Sequence, residues 1–228
     1  MQYYILLYIL IFLFGIVIGS FLNVCIYRLP LKENIATTGS HCMSCGHGLR
    51  WYDLVPLFSW LQLRGKCRYC KAKISVQYPL IEAMNGIGYV LIFIINDINI
   101  DSILLCLFFS ALVVLSVIDW RTYEIPIGVN ITILVLGVLR SALDCHNIVS
   151  HLIGLICVSA FLILIGIISG GRAMGGGDVK LMAAAGLFLG WRNVTLGFFL
   201  GCIIGSVIHL LLMKFAHKGR QLAFGPYL

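Results

Sequence analysis

Residues 102–120 read SILLCLFFSALVVLSVIDW. The apolar run from Ser102 to Ile118 is followed directly by an acid, Asp119. The run approaches the length of about 20 residues that a helix needs to cross a bilayer. An ionisable side chain at the edge of such a span is costly, so it marks a candidate functional site. This stretch predicts a transmembrane helix with a chemically active carboxylate at one end.

The rest of the chain has the composition of a membrane protein. Of its 228 residues, 61% are hydrophobic and 11% are charged, whereas a soluble domain carries about 25% charged residues. Further apolar runs cover residues 3–22, 79–96, 126–142, 149–168, 179–191 and 194–213. Together with residues 102–118 they predict seven helices in an all-α, polytopic membrane bundle. The run at 179–191 is short, so it spans only marginally.

We predict three parts along the chain. Residues 1–27 form a retained transmembrane helix, because they lack the basic n-region and small-residue cleavage site of a signal peptide. Residues 28–78 form a polar loop with a small metal-binding unit. Residues 79–228 form the remaining helical bundle.

The basic residues predict the orientation of the bundle. If the loop at residues 28–78 is cytoplasmic, alternating spans place all of the 16 Lys and Arg residues except Arg140 and Arg192 inside. This asymmetry follows the positive-inside rule and puts the N-terminus outside and the C-terminus inside. The net charge of +7 is then a topology signal, and no nucleic-acid partner is predicted.

The loop contains two CxxC pairs, CMSC at residues 42–45 and CRYC at residues 67–70. Such pairs supply four thiolates for a tetrahedral structural zinc. The predicted ligands are Cys42, Cys45, Cys67 and Cys70. A redox dithiol or an iron–sulfur site is the alternative, and His41 and His47 flank the first pair as substitute ligands. A closed four-thiolate site has no open position for substrate, so it should shape the loop and not catalyse.

A second acid, Asp178, follows three consecutive glycines, Gly175, Gly176 and Gly177. Taken alone, Asp119 could pair with Arg121 at a helix boundary, and Asp178 could cap a helix. Together they match an aspartyl protease, whose two carboxylates share one proton because both cannot ionise side by side. The glycines leave backbone room for an extended substrate segment.

Several motifs follow one another along the chain. They are GSFLNVCIYRLP at 19–30, the tetracysteine loop, YPLIE at 78–82, IDWRTYEIP at 118–126, GGGDVKL at 175–181 and FGPYL at 224–228. Their order resembles that of the type IV prepilin peptidases, the GxGD aspartyl proteases of bacterial inner membranes. Members of that family usually continue past the last motif into another helix, whereas this sequence ends at Leu228.

The resemblance implies an activity and its partners. It implies cleavage of the basic leader of type IV prepilins or pseudopilins on the cytoplasmic side, after a glycine, with Asp119 and Asp178 as the catalytic pair. It also implies S-adenosylmethionine-dependent N-methylation of the new terminal residue. The alternatives are a related GxGD protease with a preflagellin-like substrate, a proton-coupled transporter, and a structural zinc scaffold. Transport would predict inverted repeats and discontinuous mid-membrane helices, whereas the sequence shows no repeat and both acids are predicted at the cytoplasmic edge.

Two weaker expectations concern substrate and partners. Because a basic leader needs a counter-charge, Glu82 is predicted to bind it, with a helix-first-turn acid as the alternative reading. Glycine pairs at small-xxx-small spacing, including Gly15 with Gly19, Gly186 with Gly190 and Gly197 with Gly201, predict close helix packing in lipid and leave homo-oligomerisation open.

Overall fold

The computed structural model describes residues 2–35, 39–170, 175–216 and 225. Within them the secondary structure is helical, which confirms the all-α prediction. The helices are α1 (Gln2–Leu31), α2 (Phe58–Gln62), α3 (Gln77–Asn96), α4 (Ile100–Thr122), α5 (Ile127–Leu143), α6 (Ile148–Ile168), α7 (Gly176–Leu189) and α8 (Trp191–Ala216). Seven of them coincide with the predicted apolar runs, and only the short α2 was not predicted.

Among the described residues, five helical segments are long and apolar enough to cross a membrane. They are Tyr3–Leu31, Gln77–Asn96, Ile100–Thr122, Cys145–Ile168 and Trp191–Ile208. α5 is apolar but has 17 residues. α7 has 14 residues, about 21 Å of helix, which is less than the thickness of the bilayer core. The sixth predicted run is therefore short, as expected.

The chain divides into two compact units, Met1–Val114 and Leu115–Leu228. The boundary falls within α4, so Asp119 belongs to the second unit. The tetracysteine loop belongs to the first, with α1 and α3. The predicted division into residues 1–27, 28–78 and 79–228 separates the polar loop from the apolar helices, whereas these two units are defined by compactness. The predicted division stays a prediction.

In the first unit, α1 and α3 pack closely through glycines. A Cβ on Gly15 would lie 2.7 Å from the Cα of Gly86, and one on Gly19 would lie 2.7 Å from the Cα of Glu82. The residue pairs run in opposite order along the two helices, so the helices are antiparallel. Asn85 joins them by donating a 2.8 Å hydrogen bond to the Gly15 carbonyl.

In the second unit, α7 is the central helix. Its residues from Leu181 to Phe188 are largely buried, and its Gly186 meets the backbone of Gly154 on α6 directly. The packing predicted for Gly15, Gly19 and Gly186 is thus confirmed. The prediction is wrong at Gly197, since no heavy atom of the described chain lies within 4 Å of where its Cβ would be.

Candidate functional site

The first acid, Asp119, lies in the last turn of α4 and is 5% exposed. The helix ends at Thr122, and Tyr123 adopts a left-handed conformation with φ 55°. Its N–H donates to the Asp119 carbonyl at 2.9 Å, as in a left-handed helix cap. This turn ends α4 one helical turn after the carboxylate and directs residues 123–125 past it.

The second acid, Asp178, lies in the first turn of α7. Gly175 is the residue before that helix, with an extended backbone, and its N–H donates to the Asp178 carboxylate. A side chain in the first turn that reaches back to the capping residue is one half of a capping box. The alternative interpretation of Asp178, as an acid at the start of a helix, thus fits the geometry. The hydrogen bond from Gly175 holds the carboxylate in place.

The two acids line one cavity. It has a volume of about 460 Å³ and is lined by Asp119, Tyr123, Glu124, Ile125, Gly175, Gly176, Gly177 and Asp178. The carboxylates are close enough for their charges to interact. A cavity of this size lies within the range of ligand pockets. The structure therefore brings together two acids that the sequence separates by about half of the second unit.

The glycines beside Asp178 have unequal surroundings. A Cβ on Gly175 would lie 3.1 Å from an Asp178 carboxylate oxygen, and one on Gly177 would lie 3.1 Å from the Ile125 Cβ. Among the described residues, no heavy atom lies within 4 Å of where a Cβ on Gly176 would be. Side chains at positions 175 and 177 would thus crowd the acid and the opposite wall, whereas a Cβ at position 176 would meet no described atom.

Gly225 contacts the first acid. Its N–H donates a 2.8 Å hydrogen bond to the Asp119 carboxylate, and a Cβ there would lie 2.8 Å from the accepting oxygen. The other residues of the FGPYL motif lie outside the described residues. The sequence assigns this motif no role, because a glycine permits a close backbone approach but does not show which residue is approached.

The four predicted cysteine ligands converge in the first unit. Their sulfur atoms all lie within 4.8 Å of one another, and the Cys42 and Cys70 sulfurs are 3.8 Å apart. A tetrahedral zinc with Zn–S bonds of about 2.3 Å has sulfur–sulfur edges of about 3.8 Å. The donor set and its spacing therefore fit a zinc ion. His41 and His47 are not part of the cluster. The His47 ring packs against Tyr69 at an interplanar angle of 39°.

The two cysteine hairpins have the same local structure. Cys42 N–H donates to the His47 carbonyl at 2.9 Å, and Cys67 N–H donates to the Ala72 carbonyl at 2.8 Å. The residue after the second cysteine has positive φ in each, 69° at Gly46 and 61° at Lys71. The Ser44 and Cys45 N–H groups lower the pKa of Cys42 to about 6, which favours the thiolate that binds metal.

Glu82 lies in a buried environment. It is 5% exposed, its carboxylate accepts the Leu57 N–H at 2.8 Å, and Ser20 also hydrogen-bonds to it. These contacts join α3, α1 and the loop. They favour the structural reading of Glu82, while its role toward a basic leader stays a prediction.

Two family models match this chain. Residues 13–95 match the bacterial peptidase A24 N-terminal domain, which covers the tetracysteine loop. Residues 106–210 match the type IV leader peptidase family, which covers both acids. No solved structure gave a significant match.

Curated relatives match over nearly the whole chain. A prepilin leader peptidase/N-methyltransferase of Aeromonas salmonicida is 30% identical over 96% of this chain and 86% of its own length. The protein of that name from Stutzerimonas stutzeri is 31% identical over 94% and 84%. The one from Myxococcus xanthus is 30% identical over 89% of this chain and 62% of its own length.

Proposed function

The chain belongs to the type IV leader peptidase family, and we propose that it is a membrane-embedded aspartyl endopeptidase that cleaves the basic leader of type IV prepilins or pseudopilins. The observation that carries the proposal is that Asp119 and Asp178 line the same cavity. Because this cavity also contains the backbone of three glycines, a peptide can approach the acids without meeting side chains on that wall.

The proposed chemistry needs one proton shared between two carboxyl groups. The ionised carboxylate accepts a proton from water, whose oxygen attacks the scissile carbonyl carbon. The protonated partner donates to the carbonyl oxygen as the tetrahedral intermediate forms. When the C–N bond breaks, the carboxyl group that took the water proton gives it to the leaving amine. The other carboxylate takes a proton from a hydroxyl of the intermediate as the new carbonyl forms, so the pair again holds one proton. The pair titrates as a unit.

The surroundings of the two acids suit this exchange of roles. Asp119 accepts one backbone N–H, from Gly225, and Asp178 accepts one, from Gly175. One neutral donor orients a carboxylate but leaves lone pairs on it for water or substrate. With comparable donors, neither acid is locked as the permanent base.

The substrate is proposed to lie against Gly175, Gly176 and Gly177 in an extended conformation. Backbone at a helix start offers N–H groups that no intrahelical partner uses. The scissile bond follows a glycine in the leader, which suits a cleft whose own wall is glycine. Tyr123, which was not predicted as a site residue, lines the same cavity, and so does Glu124.

A second activity, N-methylation of the new terminal residue with S-adenosylmethionine, is proposed from the names of the relatives. S-adenosylmethionine would supply the methyl group. The described residues identify no group that would hold it, so we assign none. The zinc bound by the four cysteines would be structural, because four thiolates complete its coordination.

The protein is a multi-pass membrane protein, and we propose that it resides in the inner membrane with the acids at the cytoplasmic face. This orientation rests on the positive-inside rule applied to the loop. Both carboxylates then lie at the helix ends on the side where prepilin leaders are found. Homo-oligomerisation stays a prediction.

Purified protein in lipid nanodiscs should be incubated with a synthetic prepilin peptide, and product masses measured. We expect loss of the leader after its glycine, and a further gain of one methylene unit when S-adenosylmethionine is added. A preflagellin-type peptide serves as the second substrate. Cleavage of that peptide alone would assign the protein to the alternative substrate class, and an intact prepilin peptide would contradict the proposal.

A further inference from the structure

Residues 51–61 of the loop read WYDLVPLFSWL, and their apolar side chains are unusually exposed. The exposed fractions are 79% for Trp51, 64% for Phe58 and 63% for Leu61. Leu54 is also exposed. A run of this composition on a small loop marks an interaction surface.

A neighbouring tryptophan, Trp60, packs inside the loop and is not presented outward as Trp51 is. Trp60 packs its ring on Gly65, where a Cβ would lie 2.8 Å from it, and its indole N–H donates to the Ile74 carbonyl at 3.4 Å. Trp60 is thus part of the loop interior. Trp51 contacts Tyr52 edge to face and otherwise points outward, so the loop keeps one tryptophan inside and presents the other.

The segment is fixed at a definite level along the helices. The Leu57 N–H donates to Glu82, which lies five residues, about 7.5 Å, after the start of α3. Ser20 of α1 bonds to the same carboxylate. The loop therefore folds back beside α1 and α3. Its middle lies level with residues inside the two helices and not beyond their ends.

The length of α1 relates that level to the membrane. Its 30 residues extend about 45 Å, whereas the hydrocarbon core is about 30 Å thick. If the core begins near Tyr3, it ends near residue 22, just beyond Ser20. Glu82, and with it Leu57, then lies at the boundary between acyl chains and headgroups.

The charge of the loop suits that boundary. In the described residues 39–76 the sequence contains one acid, Asp53, and it pairs with Arg68 at 2.7 Å. The other bases are exposed: Arg50, Arg64, Lys66, Lys71 and Lys73. Bases beside a membrane are attracted to anionic headgroups, and tryptophan and tyrosine favour the interface.

From these observations we propose that residues 51–61 form an interfacial anchor that inserts Trp51, Phe58 and Leu61 among the lipids of the protein's own membrane. The exposed bases of the loop contact anionic phospholipid headgroups. The ligand is thus a phospholipid surface of negative charge. The proposal rests on the membrane placement of α1 and α3 and is independent of the peptidase activity.

The test uses the full chain in nanodiscs of phosphatidylglycerol and phosphatidylcholine, part of the latter brominated near the top of the acyl chains. Subtracting the fluorescence of a Trp51→Phe variant isolates the emission of Trp51. We expect the brominated lipid to quench that emission and acrylamide to leave it largely unchanged. Quenching by acrylamide with no response to brominated lipid would overturn the proposal.

A matched pair of variants tests the segment itself. Phe58→Asp combined with Leu61→Asp should abolish the bromolipid response of Trp51, whereas Met43→Asp, at a position 73% exposed in the first cysteine hairpin, should retain it. Zinc content reports that the loop is folded. A retained response in the double variant would contradict the proposal.

Two further arms separate this proposal from others. The Asp119→Asn variant should give the same Trp51 quenching as the wild type, because lipid contact needs no catalysis. Adding prepilin peptide tests a protein partner. If Trp51 emission responds to the peptide and not to brominated lipid, the surface binds substrate and the lipid assignment is wrong.

Discussion

The cysteine cluster of the first unit and the acid cleft of the second are assembled in different ways. The cysteines come from two hairpins of the same design, each closed by its own backbone hydrogen bonds, so each half of the cluster is formed locally. The acid cleft combines the end of α4, the start of α7 and Gly225, and no part of it is complete without helix packing. Substitutions should therefore affect the metal cluster through its ligands and the cleft through its packing.

The largest effect is expected at the cluster. Cys67→Ser should abolish zinc binding, because a structural zinc contributes an apparent free energy of about 10–16 kcal/mol that three thiolates cannot replace. The loop at 39–76 should become sensitive to protease, while helix content should change little. Elemental analysis and limited proteolysis measure the two effects. Cys157→Ser, outside the cluster, serves as the control.

A zinc-free wild-type protein would reject the metal assignment. Iron in its place, or a disulfide between the loop cysteines, would favour the alternatives that the CxxC pairs left open. Loss of helix content in Cys67→Ser would show that the cluster supports more than its own loop.

The next largest effect is expected at Gly225. In Gly225→Ala the added Cβ would lie 2.8 Å from the Asp119 carboxylate oxygen, so the acid must move. Misplacing a reacting group by about 1 Å can lower a rate by about 100-fold. We expect kcat to fall by about 10–100-fold with KM nearly unchanged. Zinc content should stay at the wild-type value, and an unchanged kcat would contradict the contact.

Two neighbouring glycines should respond in opposite directions. Gly177→Ala should lower stability by about 1–3 kcal/mol because its Cβ would crowd Ile125. The Cβ of Gly176→Ala would meet no atom of the described residues, so this substitution should raise stability by about 0.4–1 kcal/mol by restricting the unfolded chain. Thermal unfolding in detergent compares them. Equal shifts would show that α7 does not start against Ile125 as described.

The smallest effect is expected at Glu82. If Glu82 binds a basic leader, Glu82→Gln should raise KM for that peptide by an amount equivalent to about 0–1 kcal/mol, and more for a partly buried pair. A peptide whose lysines are neutralised should be barely affected. Equal losses on both peptides would assign Glu82 to its structural contacts with Leu57 and Ser20.

The features that could be predicted from sequence are those that depend on short stretches. Hydrophobic runs predicted all of the long helices, and the CxxC spacing predicted the cysteine cluster. Both acids were recognisable because a charge at the edge of an apolar span is rare. Each of these signals lies within a single window of sequence.

What could not be predicted depends on contacts between distant residues. Gly225 reaches Asp119 across 106 positions, and no local pattern encodes that approach. The sequence places Glu82 near the start of a helix, but it does not show that the loop folds back over this acid and buries it. Gly197 has the spacing of a packing glycine, yet spacing alone does not determine which helix face meets a neighbour.

The most direct test of the acid cleft is the cleavage of a prepilin peptide by Asp119→Asn and Asp178→Asn. Each substitution removes the ionisable group that shares the proton, so each should abolish leader cleavage. Asp144→Asn, an acid beyond the opposite end of α5, should cleave like the wild type. Normal zinc content and unfolding temperature would show that the variants are folded. Wild-type cleavage rates in either folded aspartate variant would contradict the shared-proton pair.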